Sequence, residues 1–142
     1  WFDFERFFKE AKRVLQPDGL LVVWTYEKSS VNHAVDAVFE NLYRGTLDDY
    51  WPAERKHVES GYRDIPFPLK EMATPHFELH CQWNLAQYLA YLRSWSASQR
   101  YLKVTGQDAV SAIEQEMLEA WGDPEKTLGV AWPLTVRAGK FL

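Results

Sequence analysis

VLQPDGLLVVW, from Val14 to Trp24, joins the end of a charged helix to an unbroken run of five large apolar residues. Successive side chains of a strand point to opposite faces, so the run predicts a strand over residues 20–26 that is covered on both sides, as in a parallel sheet. A parallel strand needs neighbours, but only one predicted helix, over residues 3–15, precedes it. We therefore expect an α/β domain whose sheet continues into a part of the protein that this chain lacks.

The other elements are predicted by the spacing of apolar residues and by the turn and cap residues between them. Residues 47–75 mix charges, aromatic rings and prolines, and they predict an irregular excursion that is either a lid or binding segment or a surface connection. Helical spacing and strict alternation predict the remaining helices and strands. In chain order these are a helix capped by Ser29 or Ser30 and ending near Gly45, a short helix near 53–60, a strand over 76–83, a helix over 85–102, a helix over 108–121 and a strand over 129–140.

The composition excludes several classes of protein. The 142 residues, of which 46% are hydrophobic, suit one ordinary domain. The net charge of −4, without a cluster of lysine and arginine, argues against binding of nucleic acid or of an anionic membrane. No apolar run approaches the roughly 20 residues that cross a bilayer, and the first residues lack the pattern of a signal peptide. The single cysteine, Cys81, suits a reducing compartment, so a cytoplasmic location is predicted.

Motifs of common catalytic and metal sites are absent from the sequence. No glycine-rich phosphate or nucleotide loop is present. His76 and His80 would share a strand face about 13 Å apart, too far for one ion, so no metal site is predicted. The serines near Trp95 lack a nucleophile elbow, and the adjacent acids Asp48 and Asp49 are more typical of a solvated loop than of acid–base catalysis. The sequence therefore predicts no catalytic residue.

The segment YLRSWSASQRYLK, residues 91–103, interleaves polar residues with aromatic rings. In one continuous helix, Arg93, Ser96 and Arg100 share a face because they are three, four and seven residues apart. Two guanidinium groups on that face could bind a carboxylate or a phosphate. The alternative is a solvated side of the helix whose arginines pair with acids of the excursion. The sequence leaves both interpretations open.

The segments WFD and FFKEAKRVLQPDGLLVVW resemble the second half of a class I S-adenosylmethionine-dependent methyltransferase. In that family a strand ends in a segment like hWFD, and a helix, a vLkPgG turn and the fifth strand follow. Gly19 matches the family glycine, whereas Asp18 stands where another glycine is frequent. YWPAERKHVESGYRDIPFP, YLRSWSASQRY and VAWPLTVRAGK further resemble a small-molecule branch akin to the trans-aconitate methyltransferases.

The resemblance implies an α/β fold that is the C-terminal part of a seven-stranded, Rossmann-like methyltransferase sheet. The family order is 3-2-1-4-5-7-6, mixed parallel and antiparallel, with strand 7 antiparallel. This chain would hold strands 5, 6 and 7 at residues 20–26, 76–83 and 129–140. Residues 1–142 would then form a single partial domain, and the half that binds S-adenosyl-L-methionine would lie upstream and be absent here.

The resemblance also implies where a site would lie. Trp1 and Phe2 would belong to the cofactor-proximal segment after strand 4. The substrate side would include Trp24 and Tyr26, the excursion and the RSWSAS segment; its candidate residues are Arg93, Trp95, Ser96 and Arg100. The reaction would transfer a methyl group to a small molecule, chiefly through proximity and orientation, without a named catalytic residue. This chain alone is expected to be inactive.

Two further expectations follow from the residues. An unpaired edge of the strand over 20–26 would expose backbone groups beside an apolar surface, so a homodimer through that edge is predicted. The alternative to a methyltransferase portion is a self-contained, non-catalytic module that binds a ligand or oligomerises. A strand and glycine-rich loop encoded upstream of Trp1 would favour the methyltransferase portion.

Overall fold

The protein is described by a computed structural model over residues 2–142, so Trp1 and its predicted role lie outside the described residues. Helices and strands alternate irregularly along the chain. They are α1 (Phe4–Val14), β1 (Leu21–Tyr26), α2 (His33–Glu40), α3 (Arg55–Glu59), β2 (Lys70–Met72), β3 (Phe77–Trp83), α4 (Leu85–Arg93), α5 (Ser96–Thr105), α6 (Glu114–Trp121) and β4 (Leu128–Lys140), with a π-helical turn at Asn41–Thr46 and 3₁₀ turns at Asp48–Tyr50 and Ser111–Ile113. None of the helices described is long and apolar enough to cross a membrane.

The chain divides into two compact units. The first unit holds the residues up to Lys28, Glu54–Leu79 and Trp132–Leu142. The second unit holds Ser29–Ala53 and His80–Ala131. A single partial domain over residues 1–142 stays a prediction.

The fold is mixed α/β, and β4 is the central strand of its four-stranded sheet. β4 lies between β1 and β2 in the strand order β1–β4–β2, and β3 also pairs with it. β1 runs antiparallel to β4, from Leu21 opposite Gly139 to Tyr26 opposite Leu134. β1 and β3 both pair with β4, as the 5-7-6 order that the resemblance implies would require. Their places in a seven-stranded sheet stay a prediction.

The described residues cover β1 on one face only, so burial of this strand on both faces stays a prediction. Its residues alternate between part-buried and exposed, and Val22, Trp24 and Tyr26 are 38%, 65% and 48% exposed. Its pairing with β4 is antiparallel, as the resemblance implies for strands 5 and 7, and no parallel partner of β1 lies among residues 2–142. The apolar run needs a second covering layer to be buried on both sides, and the described residues leave this face open to solvent.

α1 forms as predicted because its signals are local. Asp3 caps the helix, and its side chain accepts a hydrogen bond from the backbone N–H of Arg6 at 2.9 Å. Phe8 and Ala11 are its buried residues. The turn that follows uses a left-handed Asp18, with φ of 63°, and a Gly19 whose added Cβ would lie 2.8 Å from the Gln16 carbonyl oxygen.

α2 begins later than Ser29 or Ser30. Its cap is Asn32, whose side chain accepts from the N–H of Val35 at 3.0 Å. Ser30 instead exchanges backbone hydrogen bonds with Ala131 in an isolated β-bridge. A serine whose backbone pairs with another segment is extended, which places the start of the helix further along the chain.

The predicted helix over residues 85–102 is two helices. α4 begins at the capping box of Asn84 and ends at Arg93, Trp95 is extended, and α5 begins at Ser96. The Ser98 hydroxyl donates to the carbonyl of Leu92, and the Gln99 amide donates to the carbonyl of Arg93, both at 2.7 Å. These side chains satisfy carbonyls that a continuous helix would bond itself. Arg93 and Arg100 therefore lie on different helices, and the predicted shared face is wrong.

The excursion contains the predicted short helix and one strand that the sequence does not indicate. α3 falls within the predicted 53–60. β2 has three exposed residues that pair antiparallel with β4, from Lys70 opposite Lys140 to Met72 opposite Ala138. A strand this short has no readable alternation. Further along, Asp108 accepts from the N–H of Val110 at 3.1 Å before the 3₁₀ turn, so α6 begins at Glu114, later than predicted.

Candidate functional site

The first unit contains an open cavity of about 260 Å³ that is lined mainly by aromatic rings. Small-molecule sites are mostly apolar concavities with a few placed polar groups, so this cavity is the leading candidate site. The lining residues come from Phe2 near the start of the chain, from α1, from β1, from the excursion and from β4. They are Phe2, Phe4, Phe7, Phe8, Val22, Val23, Trp24, Tyr62, Ile65, Phe67 and Arg137.

The amphipathic face of α1 supplies three phenylalanines. Phe4, Phe7 and Phe8 follow helical spacing, and Phe8 is buried. Phe2 packs against Phe7 with ring centroids 5.0 Å apart, and Phe7 meets Phe8 edge-on at 5.2 Å. Phe2 itself stays 58% exposed, which leaves one face available to a ligand.

Arg137 is the one charged side chain among the lining residues. It lies on β4 directly opposite Val23, so both point to the same face of the sheet. Its Nε and Nη2 donate to the two carboxylate oxygens of Glu71 at 2.8 and 3.1 Å. The hydrogen bonds that the Arg137 guanidinium group donates lower the pKa of the Glu71 carboxyl, so both groups are ionised at neutral pH. The cavity therefore presents a neutralised cation rather than a free one.

The structure brings together only part of the predicted site. Phe2 and Trp24, predicted on the cofactor and substrate sides, line the same cavity. Tyr26 does not line it, although it lies on the same exposed face of β1 as Trp24. The remaining predicted residues, Arg93, Trp95, Ser96 and Arg100, lie in the second unit.

Arg93 pairs with carboxylates of its own chain. Its Nε donates to Asp108 at 2.7 Å, and its Nη2 donates to the Glu114 carboxylate. Burial raises the pKa of Asp108, but donation by Arg93 and Ser111 outweighs burial and leaves it below its ordinary value. The acids come from residues 108–114 and not from the excursion. The contacts give Arg93 a structural role, and binding of a substrate by Arg93 or Arg100 stays a prediction.

Trp95 belongs to a cluster of rings in the second unit. It lies 5.3 to 5.8 Å from the rings of Phe39, Tyr43, Trp51 and Tyr91. Ser96 and Arg100 are exposed residues of α5. Substrate binding by these residues also stays a prediction.

Arg93→Met is expected to lower the free energy of unfolding by about 1–2 kcal/mol, because two part-exposed carboxylates lose a charged donor. Arg100→Met is the matched control and should change it by less than about 0.5 kcal/mol, as is usual for an exposed position. Urea unfolding at neutral pH measures both. Equal effects of the two substitutions would contradict the structural role of Arg93.

Several lining residues are not indicated as site residues by the sequence. The phenylalanines of α1 read as an ordinary core face, and Tyr62, Ile65 and Phe67 lie in the irregular excursion. Arg137 falls on the strand face opposite the alternating apolar residues, which is typical of solvent exposure. The one available signal was the length of the excursion, since long loops often form binding segments.

The residues present do not form a complete S-adenosylmethionine site. A nucleoside cofactor needs a glycine-rich turn and a carboxylate for its ribose, and the cavity lining holds neither a glycine nor an acid. Phe2 offers only an apolar ring. Within residues 2–142, no group of three or more histidine, cysteine or acidic residues could hold a metal ion.

Comparisons with known proteins find relatives of this chain, among them a curated protein and a solved structure. Over 141 residues, the chain is 29% identical to a Dictyostelium discoideum protein named "Putative methyltransferase". It also superposes on the solved structure of a "Putative Type II Methyltransferase" from Anaeromyxobacter dehalogenans with a TM-score of 0.93 and 43% sequence identity over the whole chain. No family model matches the chain.

The chain spans about half of the first relative, 53% of its length, and 60% of the second. Both similarities run along nearly all of this chain, since 94% and 100% of it are covered. The comparisons therefore support a methyltransferase-type function and do not favour a self-contained binding module.

Proposed function

We propose that the chain is the C-terminal, substrate-side portion of an S-adenosylmethionine-dependent methyltransferase that acts on a small molecule. The observation that carries the proposal is the similarity of the whole chain, at 43% identity and a TM-score of 0.93, to the solved structure of a "Putative Type II Methyltransferase". Phe2 and Trp24 at one aromatic cavity support it, because the resemblance assigns them to the cofactor and substrate sides of such a site.

The cavity suits the positioning that methyl transfer needs. In-line displacement depends mainly on holding the acceptor atom in line with the donor, and rigid aromatic walls restrict the orientations of a bound ring. The bound cofactor would supply the methyl group; the residues of this chain would bind and orient the acceptor and exclude water from it.

The lining also bears on the class of acceptor. Nine of the eleven lining residues are apolar or aromatic, and of these nine only Trp24 has a side-chain hydrogen-bond donor, its indole N–H. The one cation among the lining residues, Arg137, is paired with Glu71. An unpaired di- or tricarboxylate would be costly to bury there. The cavity therefore supports an uncharged, flat acceptor group more than a trans-aconitate-like acid.

A comparison of two polypeptides tests the proposal. One is the 142-residue chain, and the other, called the longer polypeptide, is the full product of the reading frame that encodes these residues. Each is titrated with S-adenosylmethionine in a calorimeter and assayed for methyl transfer from labelled cofactor. We expect binding and transfer by the longer polypeptide only, because this chain lacks a complete cofactor site. Failure of the longer polypeptide to bind the cofactor would overturn the proposal and leave the binding or oligomerisation module.

We also propose that the chain by itself pairs with a second copy through β1. Among the described residues β1 has one partner strand, β4, and its open face carries exposed Val22, Trp24 and Tyr26. Such a strand is a template for pairing with another chain. A cytoplasmic location remains a prediction.

A further inference from the structure

Two consecutive residues of the excursion are left-handed where its chain turns toward the cavity. Gly61 and Tyr62 have φ of 59° and 60°. Gly61 fits because it has no side chain; an added Cβ would lie 2.9 Å from the Thr135 hydroxyl oxygen. Tyr62 has no such freedom, and a bulky residue keeps a left-handed conformation only when its surroundings hold it there.

Arg137 supplies that support from β4. Its Nη1 donates to the carbonyl oxygens of Tyr62 at 2.6 Å and of Ile65 at 3.1 Å. Its guanidinium carbon lies 4.3 Å from the centre of the Phe67 ring. Arg137 also donates two hydrogen bonds to Glu71, so its side chain makes four hydrogen bonds in all. They connect β4 to both ends of the segment 62–71. Its side chain is only 15% exposed, so these bonds are largely shielded from water.

The residues that Arg137 holds are the excursion's wall of the cavity. Tyr62, Ile65 and Phe67 all line it. Because Glu71 neutralises the guanidinium, Arg137 is better suited to fix this wall than to attract an anionic ligand. Tyr62 is then the one uncharged hydroxyl among the lining residues described, and it can discriminate between ligands that do and do not offer a hydrogen-bonding group.

We propose that the Arg137–Glu71 pair is a latch that holds Tyr62 in its left-handed conformation and thereby fixes the wall of the acceptor cavity. Arg137 is thus a positioning residue, and Tyr62 is the specificity-determining residue that it positions. The identification of the cavity's ligand with a methyl acceptor rests on the proposed function. The latch itself is a property of the chain and can be tested without cofactor or acceptor.

Hydrogen exchange of the 142-residue chain provides the test. The N–H groups of Tyr62 and Ile65 donate to the carbonyls of His57 and Tyr62, so their exchange reports opening of the turn. We expect Arg137→Met to speed their exchange about tenfold, because two bonds from a charged donor are lost. Arg63→Met, at an exposed position of the same segment, is the control and should leave both rates unchanged.

A double-mutant cycle separates a latch from a general loss of stability. If Arg137 holds a strained Tyr62, Tyr62→Gly removes the strain, and Arg137→Met should then speed exchange of the Ile65 amide by less than about threefold. An equal factor in both backgrounds would overturn the latch, as would an unchanged rate in Arg137→Met. If Arg137→Met also accelerates amides of α4 and α6, Glu71→Gln serves as the milder variant, with an expected increase of about threefold confined to residues 60–71.

The longer polypeptide tests the specificity role. Arg137→Met should raise KM for the acceptor about tenfold and change KM for S-adenosylmethionine by less than about twofold, and Tyr62→Phe should alter the ratio of kcat/KM between acceptors with and without a hydroxyl. Equal changes in both KM values would contradict a role at the acceptor cavity. If no polypeptide transfers methyl groups, the proposed function fails, whereas the exchange experiment still decides the latch.

Discussion

Trp95→Ala is expected to lower the free energy of unfolding by about 3 kcal/mol, although the resemblance implies a place for Trp95 on the substrate side. The ring is part-buried and meets four other rings in the second unit. Truncation of a packed tryptophan loses its buried area and leaves a cavity, at a typical cost of 3–5 kcal/mol. Partial exposure places Trp95 at the lower end of that range.

The geometry of the cluster supports a packing role. Trp95 meets Phe39 and Tyr43 nearly edge-on, with interplanar angles of 84° and 87°. Phe39 and Tyr43 stack on each other at 9°, and both are buried. Edge-to-face contacts of this kind add about 0.5–1.5 kcal/mol each beyond the buried area. Removal of Trp95 therefore takes an edge-on contact from each of these two buried rings.

Denaturant unfolding of three variants measures the effect. Trp95→Phe keeps a ring against Phe39 and should lose about half as much free energy as Trp95→Ala. Val104→Ala, at an exposed position of α5, should change it by less than about 0.5 kcal/mol. If Trp95→Ala unfolds like the unmodified chain but the longer polypeptide loses acceptor binding, the substrate role predicted from the sequence is correct instead.

The sequence predicts the elements whose signals are local. α1 has its cap, its apolar face and its stop within fifteen residues, and β3 and β4 are recognised by alternation within a few residues of their observed bounds. The pairing of β1 and β3 with β4 follows from the resemblance, since nothing in the alternation of a strand identifies its partner.

The break between α4 and α5 cannot be predicted from the spacing of apolar residues. The apolar spacing continues through Ser94 and Trp95, so the segment has the pattern of one long helix. What ends α4 is a set of side-chain bonds to its last carbonyls and the packing of Trp95 against Phe39, 56 positions earlier by subtraction of the residue numbers. Tertiary packing decides the conformation there, and with it the separation of Arg93 from Arg100.

The candidate site is predictable only in part for a related reason. Phe2 and Trp24 were identified through the resemblance, and the structure places both at one cavity. Arg137 reaches the cavity because β4 pairs directly with β1, and Tyr62 reaches it because a left-handed turn is held against β4. Contacts between residues 75 positions apart leave no local pattern in a single sequence.

Trp24→Lys is expected to weaken the self-association of the 142-residue chain strongly, because we expect the chain to dimerise through β1. Trp24 is 65% exposed at the centre of an apolar strand, with Val22 and Tyr26 on the same face. A buried tryptophan at an interface commonly contributes 2 kcal/mol or more, so its replacement by a charged residue should weaken the dimer by at least about 30-fold. Sedimentation velocity over a range of protein concentrations measures the change.

Val104→Lys is the matched control, because it also replaces an exposed apolar residue by lysine but lies on α5 in the second unit. It should leave the association unchanged. A folded, strictly monomeric unmodified chain would contradict pairing through β1, and equal effects of both lysines would indicate that association depends on net charge rather than on this strand.

The longer polypeptide tests whether β1 pairs with a strand of its own chain or with a second copy of the protein. If further residues of the protein supply a neighbouring strand, they compete with the second copy for the same backbone N–H and C=O groups, and only one can be satisfied. The longer polypeptide should therefore not self-associate through β1. In it, Trp24→Lys should lower the free energy of unfolding and leave the oligomeric state unchanged. A longer polypeptide that still dimerises, and becomes monomeric with Trp24→Lys, would place β1 at a permanent interface between two copies of the protein.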